Sequence, residues 1–521
     1  MKASMENSIS KLKIDSKRFW PSVIILVIIC IFLWTNLEEI QVQINSAYNF
    51  VTASFSWLFI IIDSLCLALA IYFIFGRYRN VKLGGKDAKP EYSTFSWAAM
   101  IFTSSCGAWL LVYGFLEPIY ILSSPPFQLT PGSEQAFEYA QLYAHFHWGP
   151  SAWCIYVPIT IAIGYQIYNR NNRVNSLSVA CQPALKNKEN GIGSLAIDII
   201  AIFGAIVSPV ISIGTGMPVI TVLIQDFLGL GQESAITIQV WILIVWSLIF
   251  GLSVFLGVKN GIKNFSNINT IGGFLFMVGI GITAGIIYVL ESETNVMGMM
   301  VTNIPRMQTY TDPYGDGLFV KGWTASYWGC YMVYMPLMGV FNAKISRGRT
   351  LKQIAFGQLI LCSLGCWISM GTLGNYALDL QKSGIVDIVS ILSQQGEAAA
   401  VSAIFQHMPL GHFFMGIFII LCIIFLCTTM DSSTIAVAEM TTKHEIGTES
   451  ASRGVRIIWA VLACLLTFIL LSIGGYKSIR LLCLLTGLPL GILACVVIIS
   501  CLKMLRADYG DSKYKLINHS T

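Results

Sequence analysis

The chain has 521 residues, of which 55% are hydrophobic and only 11% are charged. Soluble domains average about one charged residue in four, so this composition excludes an ordinary soluble protein and indicates a polytopic protein of the lipid bilayer. The net charge of +5 carries no nucleic-acid signal, because the basic residues lie in short loops between apolar runs. The fourteen cysteines and six histidines show neither a disulfide framework nor metal-ligand spacing, so we predict no resident cofactor.

Apolar runs recur along the whole chain and predict twelve transmembrane helices, which we call spans one to twelve. Their predicted bounds are 20–34, 53–75, 95–121, 147–167, 195–227, 235–256, 268–290, 323–341, 354–378, 412–437, 455–473 and 481–502. No small-residue cleavage site follows the first run and a second run comes soon after it. We therefore interpret the first run as a retained helix rather than a signal peptide.

The distribution of lysine and arginine predicts the orientation of the spans. If both termini are cytoplasmic, the cytoplasmic segments hold 27 of the 32 basic residues. This asymmetry favours an even number of spans in a plasma membrane, most simply a bacterial inner membrane, with both termini inside. The long external loops 291–322 and 379–411 are predicted to be ordered caps, the second with a short amphipathic helix, and mobile loops are the alternative.

Three spans contain features that transport helices need. Span three has a run of small residues at 103–108, which permits unwinding, and span five has Gly-Thr-Gly-Met-Pro at 214–218, which predicts a second break. Span ten has five polar side chains within 428–433, at membrane depth. Such polarity indicates a functional site, and hydrogen bonding between helices is the alternative. Breaks in corresponding halves predict two inverted repeats, spans three to seven and spans eight to twelve.

Span eight carries an aromatic stripe. Steps of four, four, three and four place the following residues on one helix face: Trp323, Tyr327, Tyr331, Tyr334 and Met338. Cys330 lies beside that face. A stripe facing a cavity could hold a soft cation through ring quadrupoles, at roughly 0.5 to 2 kcal/mol per ring, whereas a packing seam between helices is the alternative.

Several motifs resemble the betaine/carnitine/choline transporter family over nearly the whole chain. The motifs are GFLEP at 114–118, PPF at 125–127, HWGPSAWCIY at 147–156, SNIN at 266–269 and ISRGRT at 345–350. Within the family the chain looks most like the carnitine/γ-butyrobetaine antiporters. The pieces that favour this branch are SSPPF at 123–127, MPVIT at 217–221, and IPRM at 304–307 followed by YTDP at 310–313.

The resemblance implies an inverted five-helix repeat core of the LeuT type, two additional N-terminal helices and a homotrimer. The corresponding divisions are 1–19 and 503–521 as cytoplasmic tails, 20–91 as the peripheral helices, 92–290 and 323–502 as the repeats, and 291–322 as an external loop. It also implies a substrate site at Tyr120, Trp148, Trp153, Tyr156, Trp323, Tyr327, Cys330, Tyr331, Tyr334 and Met338. At Cys330 and Tyr331 the antiporters have tryptophan, so this cage has lost one ring and gained room.

A second departure concerns ion coupling. The sodium-independent antiporters carry an arginine in span seven whose charge stands in for a sodium ion, and this chain has the uncharged Asn269 there. The positions that bind sodium in sodium-coupled relatives correspond to Thr103, Cys106, Phe425, Thr428 and Thr429. Hydroxyl and backbone oxygens suit a hard cation such as Na⁺. These residues favour sodium-coupled uptake over the antiport suggested by the branch motifs.

We therefore predict a secondary transporter of quaternary-ammonium zwitterions, of the carnitine, γ-butyrobetaine, glycine betaine or choline class, with sodium-independent antiport as the alternative. A membrane-embedded enzyme would need a nucleophile–base pair or a metal cluster within the spans, and no histidine lies near Asp431 in the sequence. A channel would need a repeated filter loop, against which the broken helices argue.

Overall fold

The structure, a computed structural model, describes residues 14–172, 176–186, 191–257, 261–442, 453–474 and 476–510. Within those residues the chain is built from helices, and its β contacts are two isolated bridges rather than strands. The prediction of an all-α polytopic membrane protein is confirmed. The predicted tails lie partly outside this description, because residues 1–13 and 511–521 are not in it.

We number the helices in chain order. The first ten are α1 Ser16–Thr35, α2 Leu37–Phe75, α3 Thr94–Ser123, α4 Glu134–His147, α5 Pro150–Trp153, α6 Tyr156–Tyr168, α7 Leu177–Leu185, α8 Ile192–Leu228, α9 Ala235–Gly257 and α10 Lys263–Thr283. The others are α11 Ile286–Thr309, α12 Leu318–Gly322, α13 Thr324–Ile345, α14 Leu351–Lys382, α15 Ile388–Gln395, α16 Glu397–Gln406, α17 Gly411–Thr441, α18 Arg453–Gly474 and α19 Tyr476–Asp508. Helix α14 includes two π-helical segments, Gly357–Leu361 and Met370–Gly374.

Ten helices of the described chain are long and apolar enough to cross a membrane. Two predicted spans lack such a helix. Segment 147–167 is divided into short helices, and segment 323–341 lies mostly in α13, whose tyrosines and glycines lower its hydropathy. Both segments are almost entirely buried inside the bundle. Their low hydropathy is tolerated because they face other helices rather than lipid. The count of twelve therefore stays a prediction.

The predicted start of span four at His147 is wrong. His147 ends α4, an amphipathic helix that the sequence analysis did not predict. The backbone leaves the helix at Trp148 and is extended at Gly149, and a new helix begins with Pro150 at its first position. The residue before a proline avoids the helical region, and proline itself suits the first helical turn, so the Gly149-Pro150 pair places the break.

The predicted end of span seven is also wrong. Helix α10 ends at Thr283, and Gly285 adopts φ 86°, a left-handed region that glycine reaches without a steric penalty. The chain leaves the helix there, and Leu290 belongs to the next helix, α11. The predicted loop 291–322 is thus largely helical, formed by α11 and α12, and the predicted loop 379–411 contains the two short helices α15 and α16.

Of the two predicted helix breaks, one is present. Helix α3 has a non-helical residue at Gly107, within the predicted run of small residues. The break predicted at 214–218 is absent, because α8 runs without interruption through both Pro209 and Pro218. A proline inside a helix frees a carbonyl group, and packing in the middle of a bundle is the setting in which membrane helices tolerate it. The inverted repeat stays a prediction.

Contacts between distant segments define two opposite faces of the bundle. On the first, which we call the basic face, the Asp15 amide donates to the Thr441 carbonyl at 2.9 Å, and Arg170 pairs with Asp508 at 3.0 Å. The 76–93 loop pairs there with the 346–350 loop through a bridge between Lys82 and Thr350. On the second, which we call the cap face, lie α11, α12, α15 and α16. Asp15 and Asp508, near the two ends of the described chain, thus lie on the same face, as an even number of spans requires.

Candidate functional site

The break in α3 is fixed by close packing. At Gly107 the backbone has φ 51° and ψ −165°, and an added Cβ would lie 1.9 Å from the Ser212 hydroxyl oxygen. The Ala108 amide, which the break removes from the helical ladder, donates to that same hydroxyl at 3.0 Å. Only glycine fits this conformation and this contact. The break divides the candidate site into an aromatic part on one side and an oxygen-lined part on the other.

Four rings form what we call the aromatic cluster: Trp109, Trp148, Tyr327 and Tyr331. The Trp109 ring lies 4.9 Å from Trp148, 5.3 Å from Tyr327 and 5.7 Å from Tyr331, measured between ring centroids. All four are buried and pack against one another. Edge and stacked contacts at these distances are favourable, and the same electron-rich faces attract organic cations.

A buried carboxylate holds the aromatic cluster in place. Glu117 is fully buried and accepts hydrogen bonds from the Trp148 indole and the Tyr327 hydroxyl, both at 2.7 Å. Its other oxygen lies 2.7 Å from His147 Nδ1, and His147 Nε2 lies 3.0 Å from the Thr324 hydroxyl. Short bonds to a charged acceptor are among the stronger hydrogen bonds in proteins. They fix the orientation of two rings of the cluster from a single point.

Charged residues of opposite sign border the mouth of the cluster on the cap face. Glu397 on α16 accepts from the hydroxyls of Tyr113 at 2.9 Å and Tyr120 at 3.0 Å. Burial raises the pKa of Glu397, and those two hydroxyls oppose the shift. The Tyr120 ring lies 5.4 Å from Trp323, and Arg480 of α19 lies over the Trp323 ring at 5.6 Å and donates to the Gly322 carbonyl.

The remaining predicted substrate residues lie deeper, beside the break in α3. The Trp153 ring contacts Tyr156 at 5.8 Å, and the Tyr156 hydroxyl lies 3.5 Å from the Ser105 hydroxyl. Tyr334 is buried near Tyr156 and Cys330, with a hydroxyl that has no hydrogen-bond partner among the described residues. Cys330 also hydrogen-bonds Cys483 on α19. Met338 accepts from the Ser104 hydroxyl at 3.2 Å.

On the other side of the break, four neutral oxygens converge to form what we call the oxygen cluster. The Thr428 and Thr429 hydroxyls of α17 lie 3.3 Å and 3.4 Å from the Thr103 carbonyl of α3, and the Thr428 hydroxyl lies 3.0 Å from the Phe425 carbonyl. Helix α17 is continuous at Phe425. Cys106, the fifth predicted residue, points its sulfur at Cys366, 3.7 Å away, which leaves its backbone carbonyl as the group that the prediction concerns.

The rest of the polar run in span ten has other partners. Asp431 pairs with Arg456 of α18 at 2.9 Å, the Ser432 hydroxyl donates to the Thr428 carbonyl, and the Ser433 hydroxyl donates to the Ala205 carbonyl of α8. Hydrogen bonding within and between helices, the alternative weighed in the sequence analysis, thus accounts for this half of the run. The structure separates it from the two threonines that face α3.

Asn269 lies in α10 close to the oxygen cluster. It is fully buried, and neither its amide nitrogen nor its amide oxygen has a hydrogen-bond partner among the described residues. It lines, with Phe102 and Phe425, an apolar crevice between α3, α10, α14 and α17. One turn earlier on α10, the Ser266 hydroxyl accepts from Thr103 at 2.8 Å. A longer side chain at position 269 would therefore be close enough to contact α3.

The sequence analysis missed Trp109, Glu117 and His147 as site residues. A signal for the first two was present, because Trp109, Tyr113, Glu117 and Tyr120 follow one another at steps of four, four and three. These are the spacings that identified the stripe in span eight, and the two stripes face each other in the structure. His147 gave no such signal, since its role depends on the unpredicted end of α4 beside Glu117.

A family model described as BCCT, betaine/carnitine/choline family transporter, matches residues 17–510. This chain belongs to that family. The match covers nearly the whole chain, so the function is transport across a membrane rather than catalysis. The resemblance read from the short motifs is thereby confirmed at the level of the family, and the bundle of apolar helices agrees with it.

Proposed function

We propose that this member of the family carries a small zwitterion with a quaternary ammonium group, such as glycine betaine, carnitine or γ-butyrobetaine. The observation that carries the proposal is the aromatic cluster, in which three buried rings gather around the buried Trp109 and neighbouring rings lie within 6.1 Å of one another. A methylated ammonium cannot donate hydrogen bonds, so ring faces are its natural partners. The substrate would enter by separating rings that now touch.

The mouth of the cluster supports a zwitterion rather than a simple cation. Glu397 and Arg480 border it from different helices, and Arg480 lies against the ring of Trp323. A carboxylate attracts the ammonium end of an arriving substrate, and a guanidinium attracts its carboxylate end. Choline has no carboxylate, so Arg480 gives it no comparable advantage.

We further propose that uptake is coupled to sodium, which binds at the oxygen cluster and is co-transported. Carbonyl and hydroxyl oxygens without a nearby carboxylate suit a monovalent hard cation, and the long contacts to the Thr103 carbonyl are easily exchanged for contacts to an ion. Antiport remains the second candidate, because the motifs at 217–221 and 304–313 favour the antiporter branch. Asn269 argues against it, since it supplies no charge in place of the ion.

The test is uptake into proteoliposomes with labelled glycine betaine, carnitine, γ-butyrobetaine and choline, in sodium or in potassium buffer, with and without preloaded solute. We expect saturable uptake of a zwitterion in sodium without preloading. Equal uptake in both buffers, seen only after preloading, would establish antiport instead. Uptake of none of these compounds would contradict the proposed substrate class.

Two variants sharpen this test. Arg480→Gln should weaken zwitterion uptake and leave any choline uptake nearly unchanged, whereas an equal loss for both would contradict the role given to Arg480. Asn269→Arg should reduce the sodium requirement, because a guanidinium at 269 supplies a fixed positive charge near the oxygen cluster. Asn269→Gln lengthens the side chain without a charge and is the matched control.

A further inference from the structure

The described helices bury five acidic side chains, and four of them have a basic partner. The four pairs are Asp198 with Arg18 at 2.7 Å, Glu117 with His147 at 2.7 Å, Asp431 with Arg456 at 2.9 Å, and Glu439 with Lys344 at 2.5 Å. The fifth, Asp63, lies in the middle of α2 and has no exposed surface. Burying an ionisable group inside a membrane helix costs free energy, so such a residue is a candidate functional residue.

The carboxyl group of Asp63 has neutral partners. Gln308, near the end of α11, donates to one of its oxygens through the side-chain amide. The Cys154 thiol, at the turn between α5 and α6, lies 3.4 Å from the other oxygen. The Ser151 hydroxyl of α5 donates to the Gln308 amide oxygen at 2.6 Å. The Gln308 amide therefore links α11 on the cap face, α5 in the interrupted fourth span and the buried Asp63.

The titratable groups that face Asp63 are thiols. Cys66 comes from its own helix and Cys154 from the turn after α5, and Cys495 of α19 interacts with Cys66. No Lys, Arg, His, Asp or Glu of the described residues forms an ion pair with Asp63.

Two charged residues of α11, the helix that carries Gln308, are engaged elsewhere. On α11, Arg306 lies 4.3 Å over the ring of Phe127 and Glu293 contacts His145 at 2.8 Å. Helix α13, which also packs against α2, directs Tyr327 to Glu117. An ionised Asp63 would thus lack a counter-charge among the described residues, which is strongly unfavourable in a low-dielectric interior.

We infer that Asp63 is a proton-binding site, occupied in a closed state in which Gln308 covers the carboxyl, and vacated in an open state in which α11 has moved away and water reaches it. The structure has this closed contact, because Gln308 is buried and donates to the buried Asp63. A group that is neutral when buried regains its charge when it is hydrated. Cys154 connects the acid to the substrate site, because it directly follows Trp153 and lies two residues before Tyr156.

The sign of the effect follows from linkage. The closed state binds one proton more than the open state, so lowering the pH favours closure. The substrate also favours closure, so its binding takes up protons and tightens as the pH falls. With one proton fully taken up, the dissociation constant rises about tenfold per pH unit. This consequence rests on the proposed substrate class, whereas the protonation of Asp63 itself does not.

Protonation is measured first without substrate. Infrared difference spectra of the full-length protein in nanodiscs, recorded across a pH titration, should contain a carboxylic-acid band that disappears in Asp63→Asn. Gln308→Met removes the donor that stabilises the carboxylate, so the same band should persist to higher pH. Ser64→Ala, on the same helix and also beside Gln308, has no titratable group at the altered position and should leave the band unchanged.

Linkage is measured second, with glycine betaine and carnitine as probes. In weakly buffered solution with a pH indicator, addition of a probe that quenches tryptophan fluorescence should remove up to about one proton per chain from the medium. Asp63→Asn should bind the probe with nearly pH-independent affinity and take up no proton. Glu134→Gln, which alters an acid at an exposed position of α4, should keep the uptake.

The outcomes separate the two proposals. Absence of probe binding, with the infrared band lost in Asp63→Asn, contradicts the proposed substrate class and leaves the proton site in place. Retention of the band in Asp63→Asn overturns the proton site, and so does unchanged proton uptake by that variant. Loss of uptake in Glu134→Gln with retention in Asp63→Asn assigns the proton to another acid and also overturns the site. If Asp63→Asn does not fold, an unshifted band in Gln308→Met overturns the inference.

Discussion

The aromatic cluster and the oxygen cluster lie on opposite sides of Gly107 and are held in opposite ways. In the first, Glu117 fixes its partners through three contacts of 2.7 Å. In the second, the two threonine hydroxyls reach the Thr103 carbonyl at 3.3 and 3.4 Å, and no charge is present. Short charge-assisted bonds preserve a geometry, whereas long neutral ones are readily replaced. One half is therefore built to keep its shape, whereas the contacts of the other can be exchanged.

Removing the fixed charge should have the largest effect. Glu117→Gln leaves His147 without its carboxylate and the two ring donors with a weaker acceptor. Breaking such a buried pair costs about 3 kcal/mol or more, so we expect a lower unfolding temperature and loss of substrate binding. Differential scanning fluorimetry and tryptophan quenching measure the two quantities. Glu134→Gln, at an exposed position of α4, is the control, and equal behaviour of the two variants would remove Glu117 from the site.

Substitutions in the oxygen cluster should change the sodium dependence of binding rather than binding itself. Thr428→Ala combined with Thr429→Ala removes two ligands and should abolish the effect of sodium on substrate affinity, while sodium-free binding persists. Couplings of this kind are typically 1–3 kcal/mol, or about 5- to 150-fold in affinity. Binding titrations with and without sodium provide the measurement. Thr434→Ala, whose hydroxyl bonds the Asp431 carbonyl in its own helix, should keep the sodium effect. If the double variant also keeps it, the ion does not bind there.

Removing one ring at a time should have a smaller effect. Tyr331→Ala and Tyr334→Ala should each weaken binding of a quaternary-ammonium substrate by about 1–2 kcal/mol, the value of a desolvated cation–π contact. Tyr334→Phe should be nearly neutral, because the Tyr334 hydroxyl has no partner among the described residues. Tyr331→Phe loses the bond to the His147 carbonyl. Calorimetric titration distinguishes ring from hydroxyl, and unchanged affinity in both alanine variants would show that these rings only pack.

The smallest change in affinity is expected at Cys330. The family's tryptophan at this position would add a ring, but Cys330 is buried against Cys483, so there is little free volume. Overpacking costs about 1–3 kcal/mol, similar to what a further cation–π contact provides. Cys330→Trp should therefore lower the unfolding temperature with little change in affinity, and combination with Cys483→Gly should tighten binding. A tighter single variant would show that the cage has room after all.

The sequence by itself determined the class of the protein, the positions of most spans and the aromatic stripe of span eight. Apolar runs identify helices because lipid cannot satisfy exposed backbone groups, and i, i+4 spacing identifies the stripe because it is local to one helix. The run of small residues in span three likewise predicted the break, since the conformation at its Gly107 is available to few other residues. These features depend on neighbours in the chain and can be read without knowing the fold.

Only the tertiary structure decided what the polar groups do. Thr428 and Asp431 stand three residues apart with similar surroundings in the sequence, yet one faces α3 and the other pairs with Arg456. Asp63 differs from the other buried acids only because no basic side chain from another helix reaches it. The Gly-Thr-Gly-Met-Pro run in α8 stays helical although its sequence predicts a break. In each case the deciding partner lies on another helix, often a hundred or more residues away, where local pattern carries no information.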